Sequence, residues 1–147
     1  LLLLLLLLLL SLRLRLRLQR EAAASAFLFF FGQVHFRALV AGVFANRLRI
    51  GMRLQTDPTV IYGLGDAFNG NLQRKHLRSD TPYNSYTRAG LPPTPIALPS
   101  EASLKAAVNP ADTDAFYFVA KGDGTSAFSP DLAAHNRAVK RFILKQP

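Results

Sequence analysis

Residues 37–65 read Arg-Ala-Leu-Val-Ala-Gly-Val-Phe-Ala-Asn-Arg-Leu-Arg-Ile-Gly-Met-Arg-Leu-Gln-Thr-Asp-Pro-Thr-Val-Ile-Tyr-Gly-Leu-Gly, and they divide into an amphipathic helix and a polar hook. Val40, Phe44 and Leu48 recur every four residues with Leu39 and Val43 beside them, which predicts one apolar stripe facing a core. Gly51 suits the left-handed position that ends a helix. Asn46 falls on or beside the stripe, so its amide must find hydrogen-bond partners. It either pins the following loop or faces a ligand.

The hook, Leu54-Gln55-Thr56-Asp57-Pro58-Thr59, gathers an amide, a carboxylate and two hydroxyls. Pro58 disfavours helical geometry at Asp57, and Asp-Pro-Thr is also how a helix start looks. Asp57 is expected to cap the turn Thr59-Val60-Ile61-Tyr62, alone or while also touching substrate.

Working outward, Gly63 to Asn71 is turn-rich, and its Gly-x-Gly follows no strand, so it is not a dinucleotide loop. Gln73 to Leu77 suits one helical turn. Ser79 to Pro99, rich in Pro, Thr, Tyr and Asn, predicts a long irregular loop of the functional kind. In it Tyr83, Asn84 and Tyr86 offer stacking faces and an amide to sugar rings, or pack the loop onto the core, while Pro92, Pro93 and Pro95 stiffen it. Ser100 caps a helix that Pro110 stops. Ala115 to Ala120 and Ser126 to Phe128 read as a hairpin turned at Gly122-Asp123-Gly124, with Asp123 a turn former.

Ser129-Pro130 opens a last helix whose apolar face holds Leu132, Val139, Phe142 and Ile143. His135 and Asn136 fall on that face, where a histidine is either a satisfied core residue or a ligand contact. The three histidines, at 35, 76 and 135, lack metal-site spacing, and neither metal nor cofactor is expected.

A chain of 147 residues, half of them hydrophobic, suits one core. With no cysteine, disulfides and thiol chemistry are excluded. The net charge of +9 is uneven: up to Thr56 there are 8 basic residues against 1 acidic, leaving +7, and from Asp57 onward 10 against 8, leaving +2. The basicity therefore lies mostly ahead of the hook, shared between the N-terminal arm and the Arg37 helix. A nucleic-acid interface would show as a basic face with aromatic platforms on the folded module, so nucleic acid is not the expected partner.

That arm begins with ten leucines and continues as alternating Leu and Arg. It falls short of the roughly 20 apolar residues of a membrane helix. Its basic residues follow the apolar run, where a signal peptide carries them before.

Asn46-Arg47-Leu48, Gly51-Met52-Arg53-Leu54-Gln55-Thr56-Asp57-Pro58-Thr59-Val60-Ile61-Tyr62-Gly63, Tyr83-Asn84-Ser85-Tyr86, Gly90-Leu91-Pro92-Pro93-Thr94-Pro95-Ile96, Tyr117-Phe118-Val119-Ala120, Gly122-Asp123-Gly124-Thr125 and His135-Asn136-Arg137-Ala138-Val139 stand in order along the chain. Together they resemble the YceG-like endolytic murein transglycosylases, over roughly residues 37–139. The resemblance implies that residues 37–147 are part of that catalytic domain. It implies peptidoglycan glycan strands as substrate, cell-wall synthases as candidate partners, and a place at the periplasmic face of the bacterial inner membrane, although this chain has no adequate anchor.

In the family the catalytic acid is the first Glu of a short Glu-Lys-Glu-Thr-like segment just upstream of the Arg37 helix. An ungapped count places it at Leu28 and the second Glu at Phe30, within Phe27-Leu28-Phe29-Phe30-Phe31. The one carboxylate before Asp57 is Glu21, out of register, so no catalytic residue is assigned. The abrupt loss of resemblance, with the low-complexity start, marks residues 1–36 as non-family sequence of the kind a reading-frame or assembly error leaves.

Ordinary glycosidases use two carboxyl groups. The family's reaction, as the resemblance implies, uses the muramyl 6-hydroxyl as nucleophile and leaves a 1,6-anhydro end, so one Glu can serve as acid and then base. The rest of such a site needs amides, hydroxyls and ring faces, and Asn46, Gln55, Asp57, Thr59, Tyr83, Asn84, Tyr86, His135 and Asn136 are the candidate substrate-binding residues. Asp57 makes a poor substitute acid, because a capping carboxylate is stabilised in its charged form.

The leading expectation is a transglycosylase fragment, inactive as written; the alternative is a non-catalytic glycan-binding or scaffold module. A basic arm binding nucleic acid or anionic membrane is a third reading, which deletion of residues 1–20 would test. The expected fold is α+β, with several helices on a small antiparallel sheet, a long Pro-rich loop and a low-complexity N-terminal arm.

Overall fold

A computed structural model describes residues 34–145, and apart from the first three residues of the first helix the features below lie in its compact unit Arg37–Pro147. The leucine-rich arm and the positions of Glu21, Leu28 and Phe30 lie outside the described residues. The architecture is α+β. Helix α1 covers residues 34–49, followed by α2 (Asp57–Leu64), a 3-10 turn (Gly65–Ala67), α3 (Arg74–Arg78), α4 (Glu101–Val108), β1 (Tyr117–Ala120), β2 (Ser126–Ser129) and α5 (Leu132–Phe142). Among these residues no helix is long and apolar enough to cross a membrane.

Helix α1 ends as its glycine requires. Gly51 has φ +71°, its N–H donates to Leu48 O at 3.1 Å, and Met52 N–H donates to Arg47 O at 2.8 Å. This is the paired closure that satisfies the last helical carbonyls. The buried face of α1 is rotated from the expected stripe: Val43 is fully buried, but Leu48 is 39% exposed and Asn46 and Arg47 take buried places instead. The reason lies in what packs there. Residues 111–116 run alongside α1, with Ala111 N–H donating to Ala38 O at 2.9 Å and Asn46 Nδ2 donating to Thr113 O at 2.7 Å and Ala115 O at 3.1 Å. A strand-like segment laid on a helix presents backbone carbonyls that aliphatic side chains cannot satisfy, and polar side chains must meet them.

That segment leads into the hairpin, whose register pairs Tyr117 with Ser129, Phe118 with Phe128, Val119 with Ala127 and Ala120 with Ser126. Asp123 Oδ1 accepts from the backbone N–H and hydroxyl of Thr125, at 2.9 and 2.6 Å, and so holds the turn. Phe118 meets Phe44 edge-on at 6.2 Å and Phe128 at 5.8 Å, which joins α1 to the hairpin. Helix α5 packs on both strands. It is capped by Asp131, whose Oδ1 accepts from Ala134 N–H at 2.7 Å, and not from Ser129-Pro130. Leu132 and Ile143, expected in its apolar face, are each 54% exposed because they lie at the two ends of the helix, past the edges of a hairpin only four residues long.

The hook is tied to the long loop mainly through Ser85, with Tyr86 adding a second bond. Ser85 is buried; its O accepts from Gln55 N–H at 3.0 Å, and its Oγ accepts from Thr56 N–H at 3.0 Å and lies 2.7 Å from Thr59 Oγ1. Asp57 is the first residue of α2, not its cap; Thr56 holds the cap position without a side-chain hydrogen bond. Its carboxylate is drawn off by Tyr86 Oη–H at 2.6 Å.

Candidate functional site

A cleft of about 810 Å³ opens between the C-terminal half of α1, the hook, β1 and the start of α5. Five of the nine sequence candidates line it: Gln55, Asp57, Tyr86, His135 and Asn136. The hook brings the first two. Gln55 holds φ +50°, a left-handed conformation costly for a residue with a Cβ, fixed by its N–H bond to Ser85 O and by Arg47 Nη1 donating to Leu54 O at 2.7 Å. The chain kinks there and presents Gln55 to the cleft. Burial and the bonded Asp57 carboxylate push the Tyr86 hydroxyl well above the usual phenol range, so it stays a proton donor at neutral pH.

On the opposite wall, the His135 ring stacks on Tyr117 at 5.2 Å with planes 24° apart. Its Nδ1 is buried without a hydrogen-bond partner. Burial, and secondarily the Arg47 charge, hold the imidazole below its ordinary value of 6.5. The unfolded chain therefore takes up this proton at higher pH than the folded one. Stability linked to His135 is complete above pH 6.5 and is lost as pH falls from there towards the folded-state value. Melting temperatures measured from pH 7.5 down to 5 should fall in the native chain and fall less in His135→Gln.

One of the remaining candidates, Thr59, lines a second groove of about 420 Å³ under the proline-rich loop, and Tyr83 is bonded to Thr94 in its wall. Thr59 lines it with Leu91 and Pro92, although its hydroxyl is already engaged by Thr56 O and Ser85 Oγ. Tyr83 packs against Tyr62 at 4.8 Å with the ring planes tilted by 58°, and pairs its hydroxyl with Thr94 Oγ1 at 2.9 Å. Asn46 and Asn84 line neither. Asn46 holds Thr113 and Ala115 and accepts from Arg49 Nη2. Asn84, fully buried, donates to His76 O, Leu77 O and Ser79 O and accepts from Tyr86 N–H.

Arg47 and Tyr117 are the cleft residues that sequence reasoning missed. Arg47 is only 7% exposed, and its guanidinium lies 5.1 Å from the centre of the Tyr117 ring. The signal was present: Arg47 stands four residues after Val43, a charge at a core position of the helical stripe. With Phe44 and Phe118 beneath, the cleft combines ring faces with amide, carboxylate, imidazole and guanidinium groups. Such a surface can stack on sugar rings and hydrogen-bond their hydroxyls. Asp57 is the one carboxylate among the lining residues.

The sequence profile of the YceG-like family matches residues 32–141. The chain is 44% identical over 107 residues to a Bacillus subtilis protein named endolytic murein transglycosylase, covering 73% of this chain and 29% of that protein. A Streptococcus pneumoniae protein of the same name is 32% identical over 112 residues, covering 73% and 20%. A crystal structure of a YceG-like protein from Listeria monocytogenes superposes with a TM-score of 0.63 at 44% identity, over 69% of this chain and 32% of that one. The chain thus spans less than a third of the length of each of these proteins.

Proposed function

The chain belongs to the YceG-like family, and on that premise we propose that its cleft binds a peptidoglycan glycan strand, as part of the groove of an endolytic murein transglycosylase. The observation that carries this is the composition of the cleft wall: Gln55, Asp57, Tyr86, His135 and Asn136 converge with the Tyr117 and Tyr86 rings on one open channel. Relatives bearing that enzyme name support the substrate class. The complete enzyme would cut strands internally to leave 1,6-anhydro-muramyl ends, working at the periplasmic face of the inner membrane beside cell-wall synthases.

The chain as written is read as inactive, because Leu28 and Phe30 stand where the family's two Glu residues fall. Asp57 is an unsuitable substitute: its Oδ1 is already engaged by the Tyr86 hydroxyl at 2.6 Å, so it is committed to the protein and not free to meet a glycosidic oxygen. The same absence of an acid favours, as a second reading, a glycan-binding or scaffold module with no catalysis.

Titrating muramyl glycan oligosaccharides against the native chain tests the shared part. Binding is expected, and Gln55→Ala or Asn136→Ala should each weaken it about 3- to 10-fold, the worth of one hydrogen bond. No saturable binding would sink both readings. Mass spectrometry of strands incubated with Leu28→Glu separates them: new 1,6-anhydro ends favour the transglycosylase, and intact strands that still bind favour the module.

A further inference from the structure

We propose that Arg47 is the seat of a carboxylate-binding subsite in the cleft, and that its ligand is the free lactyl carboxylate of muramyl residues on a glycan strand stripped of peptide. The inference rests on the glycan reading above.

Arg47 is a buried cation without a counter-ion. Its Nε donates to Phe116 O and its Nη1 to Leu54 O, both at 2.7 Å, and its Nη2 has no protein partner among the described residues. The ion pairs among those residues are Arg88 with Asp80 and Lys105 with Glu101, both on the surface. The guanidinium lies over the face of the Tyr117 ring, and no carboxylate forms an ion pair with it among the described residues. Burying a charge is costly unless it is paired, and two carbonyls return part of that cost but no net charge.

Arg47 lines the cleft, so the missing charge can arrive with a ligand. The two carbonyl bonds fix the guanidinium plane before anything binds, so little freedom remains to be lost when an oxyanion meets Nη2. His135, held neutral beside it, adds no competing positive charge. Asp57 lines the same cleft but is bonded to Tyr86 and makes no ion pair with Arg47.

Along a glycan of N-acetylated sugars, the lactyl substituent is where a carboxylate occurs. In peptide-bearing strands that carboxyl is an amide, which offers an oxygen and no charge. Charge-assisted hydrogen bonds are about twice as strong as neutral ones, so the cleft should favour peptide-free strands.

The test compares a muramyl tetrasaccharide with free lactyl carboxylates against the same sugar converted to methylamides, titrated calorimetrically into the full chain. The free acid should bind about 10-fold tighter or more, with the preference shrinking as salt rises. Arg47→Gln should abolish the preference. Because that variant also loses two backbone contacts, the Arg47 Nε–H resonance of the native chain is followed in parallel, and it should shift with the acid far more than with the amide. Equal affinities of the native chain for the two sugars, an unmoved Arg47 resonance, or a preference kept in folded Arg47→Gln would each overturn the subsite while leaving glycan binding standing. Failure of both sugars to bind would overturn the glycan reading and this one together.

Discussion

Replacing Asn84 by leucine is expected to lower the unfolding free energy by about 3–5 kcal/mol, read as the shift of a urea denaturation midpoint at constant slope. The side chain is fully buried, and both ends of its amide are engaged with backbone. Nδ2 reaches His76 O and Leu77 O at 3.2 Å and Ser79 O at 2.7 Å, closing the C-terminus of α3. Oδ1 takes Tyr86 N–H at 2.8 Å. Leucine is nearly isosteric, so little cavity forms; what remains is a set of buried carbonyls and one N–H with no partner, each costing about 1–3 kcal/mol and not fully additive. Against a typical 5–15 kcal/mol for a whole domain this is a large fraction. The loop that carries Tyr86 should loosen with it, so glycan affinity falls as a consequence of stability. A variant as stable as the native chain but weaker in binding would show instead that Asn84 acts on the ligand.

The same residue shows where sequence reading stops. A polar loop residue between two tyrosines has the chemistry of a sugar contact, and nothing local says that three carbonyls from residues 76–79 will be turned towards it. Asn46 was different: its place on an apolar stripe required partners, and only their identity, residues 113 and 115, needed the fold, because the pairing spans 67 and 69 positions. Elements whose signals are local were legible. Gly51, Ser100 with Pro110, and the Gly-Asp-Gly turn mark boundaries through backbone chemistry carried by the residues themselves. The faces of α1 and α5 were less so, since a helical period gives the width of a stripe while its rotation depends on what packs there. Of the site, the hook and the α5 pair His135 and Asn136 were visible as polar groups in an otherwise apolar or turn-forming setting. Arg47 was legible only as a charge at a stripe position, and a lone charge on a helix is ordinarily a solvated one.

Gly42→Ala should cost about 2–4 kcal/mol, and Gly42→Val should leave the chain largely unfolded at room temperature. A Cβ built on Gly42 lies 2.5 Å from Ala111 O and 2.8 Å from Thr113 Cγ2. The first of these is backbone, which cannot swing aside as a side-chain tip can. Residues 111–116 would have to lift from α1, and the contacts made along that seam would lengthen together: Ala111 N–H to Ala38 O, Asn46 to Thr113 O and Ala115 O, and Arg47 to Phe116 O. Part of the loss is offset because alanine stiffens the unfolded chain and favours helix by up to about 1 kcal/mol, so a net destabilisation is the more telling sign. The displacement also reaches the cleft, since Arg47 is positioned by Phe116 O and stacks over Tyr117. Gly42→Ala should therefore show its effect twice, in the denaturation midpoint and in weaker discrimination between carboxylate and amide glycans at a denaturant-free temperature where the variant is still folded. A stable Gly42→Ala would mean that the 111–116 segment does not lie against α1, and the geometry of the Arg47 corner would fall with it.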